Sequence, residues 1–158
     1  MPSVLNARRV AASGLALGAV AALSGCGVVS GLLGGNVLSV EVGDCFVVSD
    51  MEQSLSEGEV TDVPLVDCEE SHDGEFFYAE DLPDGDYPGE VSVDEQAMEI
   101  CEGQAFTDFV GTDYMASEIW ASYLVPTQES WDRADDREII CYLETMETVT
   151  GSQEGAGI

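Results

Sequence analysis

The sequence predicts a small α+β domain, an antiparallel sheet packed on one main helix at about residues 93–110 and stapled by two disulfides. Three observations carry this expectation. Several short segments alternate apolar and polar residues with the two-residue period of a half-buried strand. One stretch, Val93 to Phe109, instead repeats apolar residues every four positions, the spacing of a helix face. Four cysteines are spread through these segments, and bridges between them would tie the sheet and helix layers together.

Ahead of the domain, residues 1–25 hold Arg8 and Arg9 and no acidic residue, and Val10–Leu23 is apolar or small throughout. This is the positive start and short apolar run of a signal peptide. A spanning helix would need about 20 apolar residues. The run ends in Leu23-Ser24-Gly25-Cys26, which resembles the leader of bacterial lipoproteins. The resemblance implies cleavage before Cys26, whose thiol then carries diacylglycerol as part of the first mature residue. The competing reading is a small cysteine in a buried N-terminal helix. A start of Met1-Pro2, two arginines and a run apolar on every face speak against it. Arg8-Arg9 also invites twin-arginine export, although Ala7, Val10 and Ala11 fit that signal poorly. Each buried CH₂ contributes about 0.8 kcal/mol and stable anchoring takes more than one acyl chain. Residues 26–37 follow as a Gly-rich, lipid-anchored flexible tether.

The domain is expected over 38–149. Leu38, Val40 and Val42 alternate with Ser39 and Glu41 as a strand, Gly43-Asp44 turns, and Cys45–Val48 continues extended. Residues 49–59 are polar and acidic, a loop or one short helical turn. Val60–Cys68 reads as a second strand, with Pro64 marking an edge or a bulge. Glu75–Ala79 is a third strand, and the turn-rich Asp81–Gly89 is a loop. Ser92-Val93-Asp94-Glu95 has the form of a capping box for the helix, with Gly111 as its stop. Asp94, Glu95 and Glu99 fall in the first turns, where the helix dipole favours acids. Ile119, Ala121, Tyr123 and Val125 alternate; the same residues would also fit two helical turns, and strand is preferred. Pro126–Asp136 is a loop carrying Trp131. Arg137–Glu147 is a final strand with Ile139, Cys141 and Leu143 on one face, and 150–158 is expected as a disordered tail.

Of five cysteines, setting Cys26 aside leaves Cys45, Cys68, Cys101 and Cys141. Four cysteines allow three connectivities. Cys45–Cys68, joining neighbouring segments, and Cys101–Cys141, pinning the helix to a late strand, are preferred. A zinc site is disfavoured, since there is no C-x₂-C pair and a single histidine. No metal or other cofactor is expected.

All 32 acidic residues lie after the leader, with Arg133 and Arg137 as the only basic ones there and no lysine, so the chain beyond residue 25 carries a net charge of −30. Such a charge repels nucleic acid and anionic headgroups, so no nucleic-acid partner is expected and the lipid must hold the protein at the membrane against that repulsion. The acids are spread along the chain, which suits a solvation strategy; a docking surface for a cationic partner or for divalent ions is the alternative. High charge also raises the question of disorder. The two Trp, five Phe and five Tyr, all in the domain, supply a core for one unit of roughly 110 residues.

Several pieces, in order, resemble the septum formation family of actinobacterial exported and lipid-anchored proteins. They are Val42-Gly43-Asp44-Cys45, Val66-Asp67-Cys68, Ser71-His72-Asp73-Gly74-Glu75, Tyr87-Pro88-Gly89-Glu90, Cys101, Phe109-Val110-Gly111, Pro126 with Trp131, and Asp136-Arg137 ahead of Cys141. Ala134-Asp135 stands where the family pattern leads one to expect a glycine turn. The resemblance implies an extracytoplasmic role linked to cell division, with no established enzymatic activity or catalytic residues.

The candidate interaction or structural residues are His72, Asp73, Trp131 and Arg137. His72 is the single histidine, either an acid–base or pH-sensing group or a hydrogen-bonding residue that orders the turn after Cys68; the structural role is preferred. Ser71 is adjacent, but no G-x-S-x-G elbow exists. Arg137 and Arg133, amid so many acids, are expected in internal salt bridges. Trp131 covers the core edge or forms an exposed anchor. Glu80, Asp81, Asp84, Asp86 and Glu90 cluster without EF-hand spacing. The leading expectation is a non-catalytic, lipid-anchored binding or scaffold module whose partners are the membrane, through Cys26, and an envelope or division protein. The alternatives are an envelope hydrolase centred on His72 and an acidic solute- or cation-binding lipoprotein. The hydrolase predicts a cleft at His72, the cation binder inward-pointing carboxylates, and the scaffold an exposed apolar or aromatic patch.

Overall fold

The computed structural model describes residues 39–56 and 63–158. The leader, Cys26 and the tether lie outside the described residues, as do Leu38 and residues 57–62. The domain is α+β, with a five-stranded antiparallel sheet in the order β2-β1-β3-β5-β4. Its strands are β1 (Cys45–Phe46), β2 (Leu65–Val66), β3 (His72–Asp81), β4 (Trp120–Leu124) and β5 (Glu138–Val149).

Residues 39–44 form a turn, not the expected strand. The Asp44 N–H donates to the Glu41 carbonyl (3.1 Å) and the Glu41 N–H to Asp44 Oδ2 (2.8 Å), with Gly43 at φ 96°. The turn residues outcompete a short alternating pattern because these local bonds take up the backbone groups of a ladder. The acidic stretch after β1 is a nine-residue helix, α1 (Val48–Ser56), where a loop or single turn was expected. Val48, Met51 and Leu55 share one face and pack with the core. β2 is two residues long and sits at the sheet edge, the position that Pro64 suggested.

The main helix is two: α2 (Glu90–Cys101) and α3 (Gln104–Val110), broken at Glu102–Gly103. It begins three residues earlier than the expected start, because Gly89 (φ 92°) is the N-cap and its carbonyl accepts from the Ser92 and Val93 N–H groups (both 3.1 Å). Ser92 is therefore inside the first turn and the Ser92–Glu95 capping box does not form; Ser92 Oγ accepts instead from Gln96 Nε2 (3.3 Å). Gly111 ends α3 at φ 88°, as expected. The loop expected over 126–136 contains α4 (Gln128–Ala134), which begins with a capping box: Ser130 N–H on Thr127 Oγ1 (3.1 Å) and Thr127 N–H on Ser130 Oγ (2.9 Å). Asp135 closes α4 at φ 55°, so a non-glycine residue takes the left-handed position for which a glycine was expected. Aspartate tolerates that region better than most side chains.

β5 explains the architecture. Ile139, Cys141 and Leu143 point into a core with Phe77, Val93, Ala97, Phe106, Val110 and Trp131, beneath α2, α3 and α4. Ile140 and Tyr142 point the other way, joining Phe46, Val48, Met51 and Phe76 beneath α1. Burial on both faces is why the strand reads as a continuous apolar run. Phe46 and Phe76 stack at 4.5 Å, with Tyr142 edge-on to both.

Both bridges are present. Cys45–Cys68 (Cα–Cα 5.2 Å) ties β1 to the turn after β2, and Cys101–Cys141 (5.4 Å) ties the end of α2 to the middle of β5. Each stabilises by about 2–4 kcal/mol. The C-terminal segment is not a free tail. Gly151 N–H donates to the Cys68 carbonyl (2.6 Å), Gly155 N–H to Phe109 (2.8 Å) and Gly157 N–H to Val110 (2.8 Å). Gly151, Gly155 and Gly157 all have positive φ (80°, 69° and 68°), so the glycines shape a strap that caps the carbonyls at the end of α3. No helix among the described residues is long and apolar enough to cross a membrane.

Candidate functional site

His72 and Asp73 open β3. His72 is completely buried, and its Nδ1 is 2.9 Å from the Glu70 carbonyl. A carbonyl only accepts, so Nδ1 carries a proton and donates it; Nε2 is buried without a partner. Asp73 Oδ1 accepts from the Val48 N–H (2.7 Å), completing the N-terminus of a helix that lies 25 residues earlier. The next two residues are equally committed. The Phe46 ring lies over Gly74 so closely that a Cβ there would stand 2.5 Å from it. Glu75, 1% exposed, accepts from Ser152 Oγ (2.6 Å) and from the Gln153 N–H (2.7 Å), holding the C-terminal strap. The stretch His72–Glu75 is a structural hub in which each side chain, or its lack, fixes a different part of the chain.

Trp131 and Arg137 meet at the other end of the β3–β5 ladder, about 30 Å away at roughly 3.3 Å per residue. Trp131 is buried, donates through Nε1 to the Gly85 carbonyl (2.9 Å) and packs edge-on against Tyr87 (5.5 Å). The Arg137 guanidinium lies 3.8 Å over the Trp131 ring. Its Nη1 donates to the carbonyls of Trp131 (3.1 Å) and Asp136 (2.8 Å), and its Nη2 to Asp135 Oδ1 (2.9 Å). Arg137 thus closes the C-terminal end of α4 and makes the expected salt bridge. Arg133 pairs with Glu129 on the surface of α4. Glu138, beside this corner, has Oε2 buried without a partner, and its carboxyl is raised above the usual range by burial first and then by Asp81 and Asp136.

Two open grooves flank this corner. One, of about 610 Å³, is lined by Gly85, Tyr87, Gln128, Trp131, Asp132 and Arg137 among others; the second, of about 640 Å³, runs past Pro88, Glu90, Val91 and Glu95. Tyr87 and Gln128 line both. Burial and the carboxylates of Glu90 and Asp94 push the Tyr87 hydroxyl up, so it is a neutral donor and acceptor near neutral pH. His72 lines neither groove. The geometry therefore brings Trp131 and Arg137 together, keeps His72 with Asp73, and separates the two pairs.

A third feature was not singled out from sequence. Trp120 is 58% exposed on β4, and Met146 is 86% exposed on β5. Trp120 lies directly opposite Glu144 in the β4–β5 register. The signal was present in the alternation of 119–125: Trp120 falls on the opposite parity from Ile119, Ala121, Tyr123 and Val125, which pack with the core. Among the described residues no group of three or more His, Cys, Asp or Glu side chains is arranged to hold a metal ion.

A family model described as "Septum formation" matches residues 42–157. The match covers most of the chain, and the chain belongs to this family. Comparisons with curated proteins and with solved structures find no match.

Proposed function

We propose that this septum formation family member is a non-catalytic binding or scaffold module. Lipid on Cys26 anchors it to the extracytoplasmic face of the cell membrane, and it engages a protein of the division or envelope machinery. The observation that supports this reading is the allotment of side chains between interior and surface. The single histidine is enclosed, and Asp73 and Glu75 beside it are spent on holding α1 and the strap. Trp120 and Met146, which nothing in the core requires, face outward. Lipid supplies membrane attachment that a chain of this charge lacks from its own surface.

Complementation of cells lacking the chain tests the reading. Wild type should restore septation, and intact mass should show a chain beginning at acylated Cys26. Cys26→Ala should leave the membrane fraction and fail to complement. His72→Asn, which keeps a donor for the Glu70 carbonyl but leaves a small cavity, should complement in proportion to the folded protein that accumulates. Full complementation by Cys26→Ala would overturn the anchored module. Loss of function in a well-folded His72→Asn protein would overturn the non-catalytic reading and favour a hydrolase.

A further inference from the structure

We infer that β4 is a docking strand for an extended, lysine- or arginine-rich segment of a partner protein, which adds to the sheet beside β4 and lays a cationic side chain on Trp120. The inference names the partner surface of the binding module proposed above and rests on that reading.

Among the described residues β4 pairs with β5 on one side and ends the sheet on the other. An unpaired edge presents a row of N–H and C=O groups, and folded domains blunt it with lysine, proline, a bulge or extreme shortness. The opposite edge is treated in this way: β2 has two residues and follows Pro64. β4 has none of these devices in its own sequence, and among the described residues the one cover it receives is the Tyr114 hydroxyl on the Ala121 N–H. Its sequence, Trp-Ala-Ser-Tyr-Leu, contains no charge and no proline, and its register with β5 runs unbroken from Trp120↔Glu144 to Leu124↔Ile140. Ala121 and Tyr123 pack on the core beneath α2. Trp120 lies on the other face of the strand.

The charge around this edge selects the occupant. Glu144 stands opposite Trp120, and Glu118 precedes it by two residues. Arg133 and Arg137, the cations of the described residues, sit past the Leu124 end of β4 and are paired with Glu129 and Asp135. An exposed aromatic face beside a carboxylate attracts a cation. The net charge of −30 beyond the leader draws basic chains in and speeds their encounter. A second copy would bring the same negative charge and no lysine. Strand addition supplies main-chain affinity, and alternate side chains supply specificity.

The test uses the full chain in detergent and three short peptides: alternating Lys and Thr, alternating Glu and Thr, and the Lys–Thr peptide N-methylated along one edge. The Lys–Thr peptide should bind, weaken with added salt and slow amide exchange within β4. The Glu–Thr peptide should not bind, and N-methylation should weaken binding by about tenfold. Trp120→Ala should weaken it by about fivefold to tenfold with unchanged circular dichroism. Equal affinities for the Trp120→Ala protein or the N-methylated peptide would overturn the proposal in favour of diffuse charge attraction. Concentration-dependent dimers lost in Trp120→Ala would overturn it in favour of a second copy. Failure of the Lys–Thr peptide while Cys26→Ala still fails to complement would sink this edge and leave the anchored module standing. Full complementation by Cys26→Ala would instead sink the module itself.

Discussion

The two ends of the β3–β5 ladder hold the chain together in opposite ways. At the His72–Glu75 end, consecutive residues reach across the sequence, Asp73 to Val48 and Glu75 to Ser152 and Gln153. At the Trp131–Arg137 end, most bonds are local: Arg137 reaches Trp131, Asp135 and Asp136, and Thr127 and Ser130 cap each other. The long contacts there are Trp131 to Gly85 and the Leu82 N–H to the Arg137 carbonyl (2.8 Å). The first end decides whether the pieces of the fold meet, while the second shapes a corner that is already in place. A motif rich in chemically capable residues is therefore not evidence of chemistry when its carboxylates are spent on distant segments.

The sharpest way to break this contrast is at Glu75. Glu75→Ala removes a charged acceptor of two bonds and should cost about 2–3 kcal/mol. Urea unfolding would measure the loss, and hydrogen exchange should show the Gly155 and Gly157 amides released. Glu75→Gln should also destabilise, because a side-chain amide presents at most one acceptor oxygen to two donors. Gly74→Ala comes next: the new Cβ collides with the Phe46 ring, for a cost of about 1–3 kcal/mol, read from the lowered denaturant midpoint. Asp73→Ala should cost about 1 kcal/mol, seen as lost helicity in α1 with the sheet intact.

The other end should respond to pH in a modest way through Glu138. Its carboxyl is raised by burial and by its acidic neighbours. A raised carboxyl favours the folded state when protonated, so its stabilising contribution is present below the unfolded-state value and is lost as pH rises through the folded one. Glu138→Gln should therefore match wild type in mild acid and exceed it at neutral pH. Urea midpoints across that range would show the gap open with rising pH; a gap that closes instead would contradict the burial argument.

Much of this was legible in the sequence for specific reasons. The parity of Ile139, Cys141 and Leu143 and the even cysteine count pointed to the sheet face and the bridges that the structure contains. α1 was not legible, because its N-terminal partner is Asp73 rather than a neighbour in sequence. The Ser92–Glu95 signal was genuine but lost to Gly89, whose turn starts the helix earlier. The strap looked like disorder because glycine and polar residues signal both; the distinguishing feature, close backbone contact with α3, is tertiary. Gly111 lies 3.7 Å, by its added Cβ, from the Gly155 Cα. Trp120 carried a readable parity, opposite to that of its core-facing neighbours.

The contact between Asp73 and Val48 also has a meaning in time. Nine residues are too few for a helix to persist alone in water, because nucleation is costly. The group that completes the start of α1 arrives only once the beginning of β3 is beside it. α1 is thus expected to form late, on a sheet that has already assembled, in contrast to the usual lead of local helices over long-range pairing. In a folding experiment, Asp73→Ala should leave the refolding rate nearly unchanged and accelerate unfolding, the signature of a bond made after the barrier is crossed.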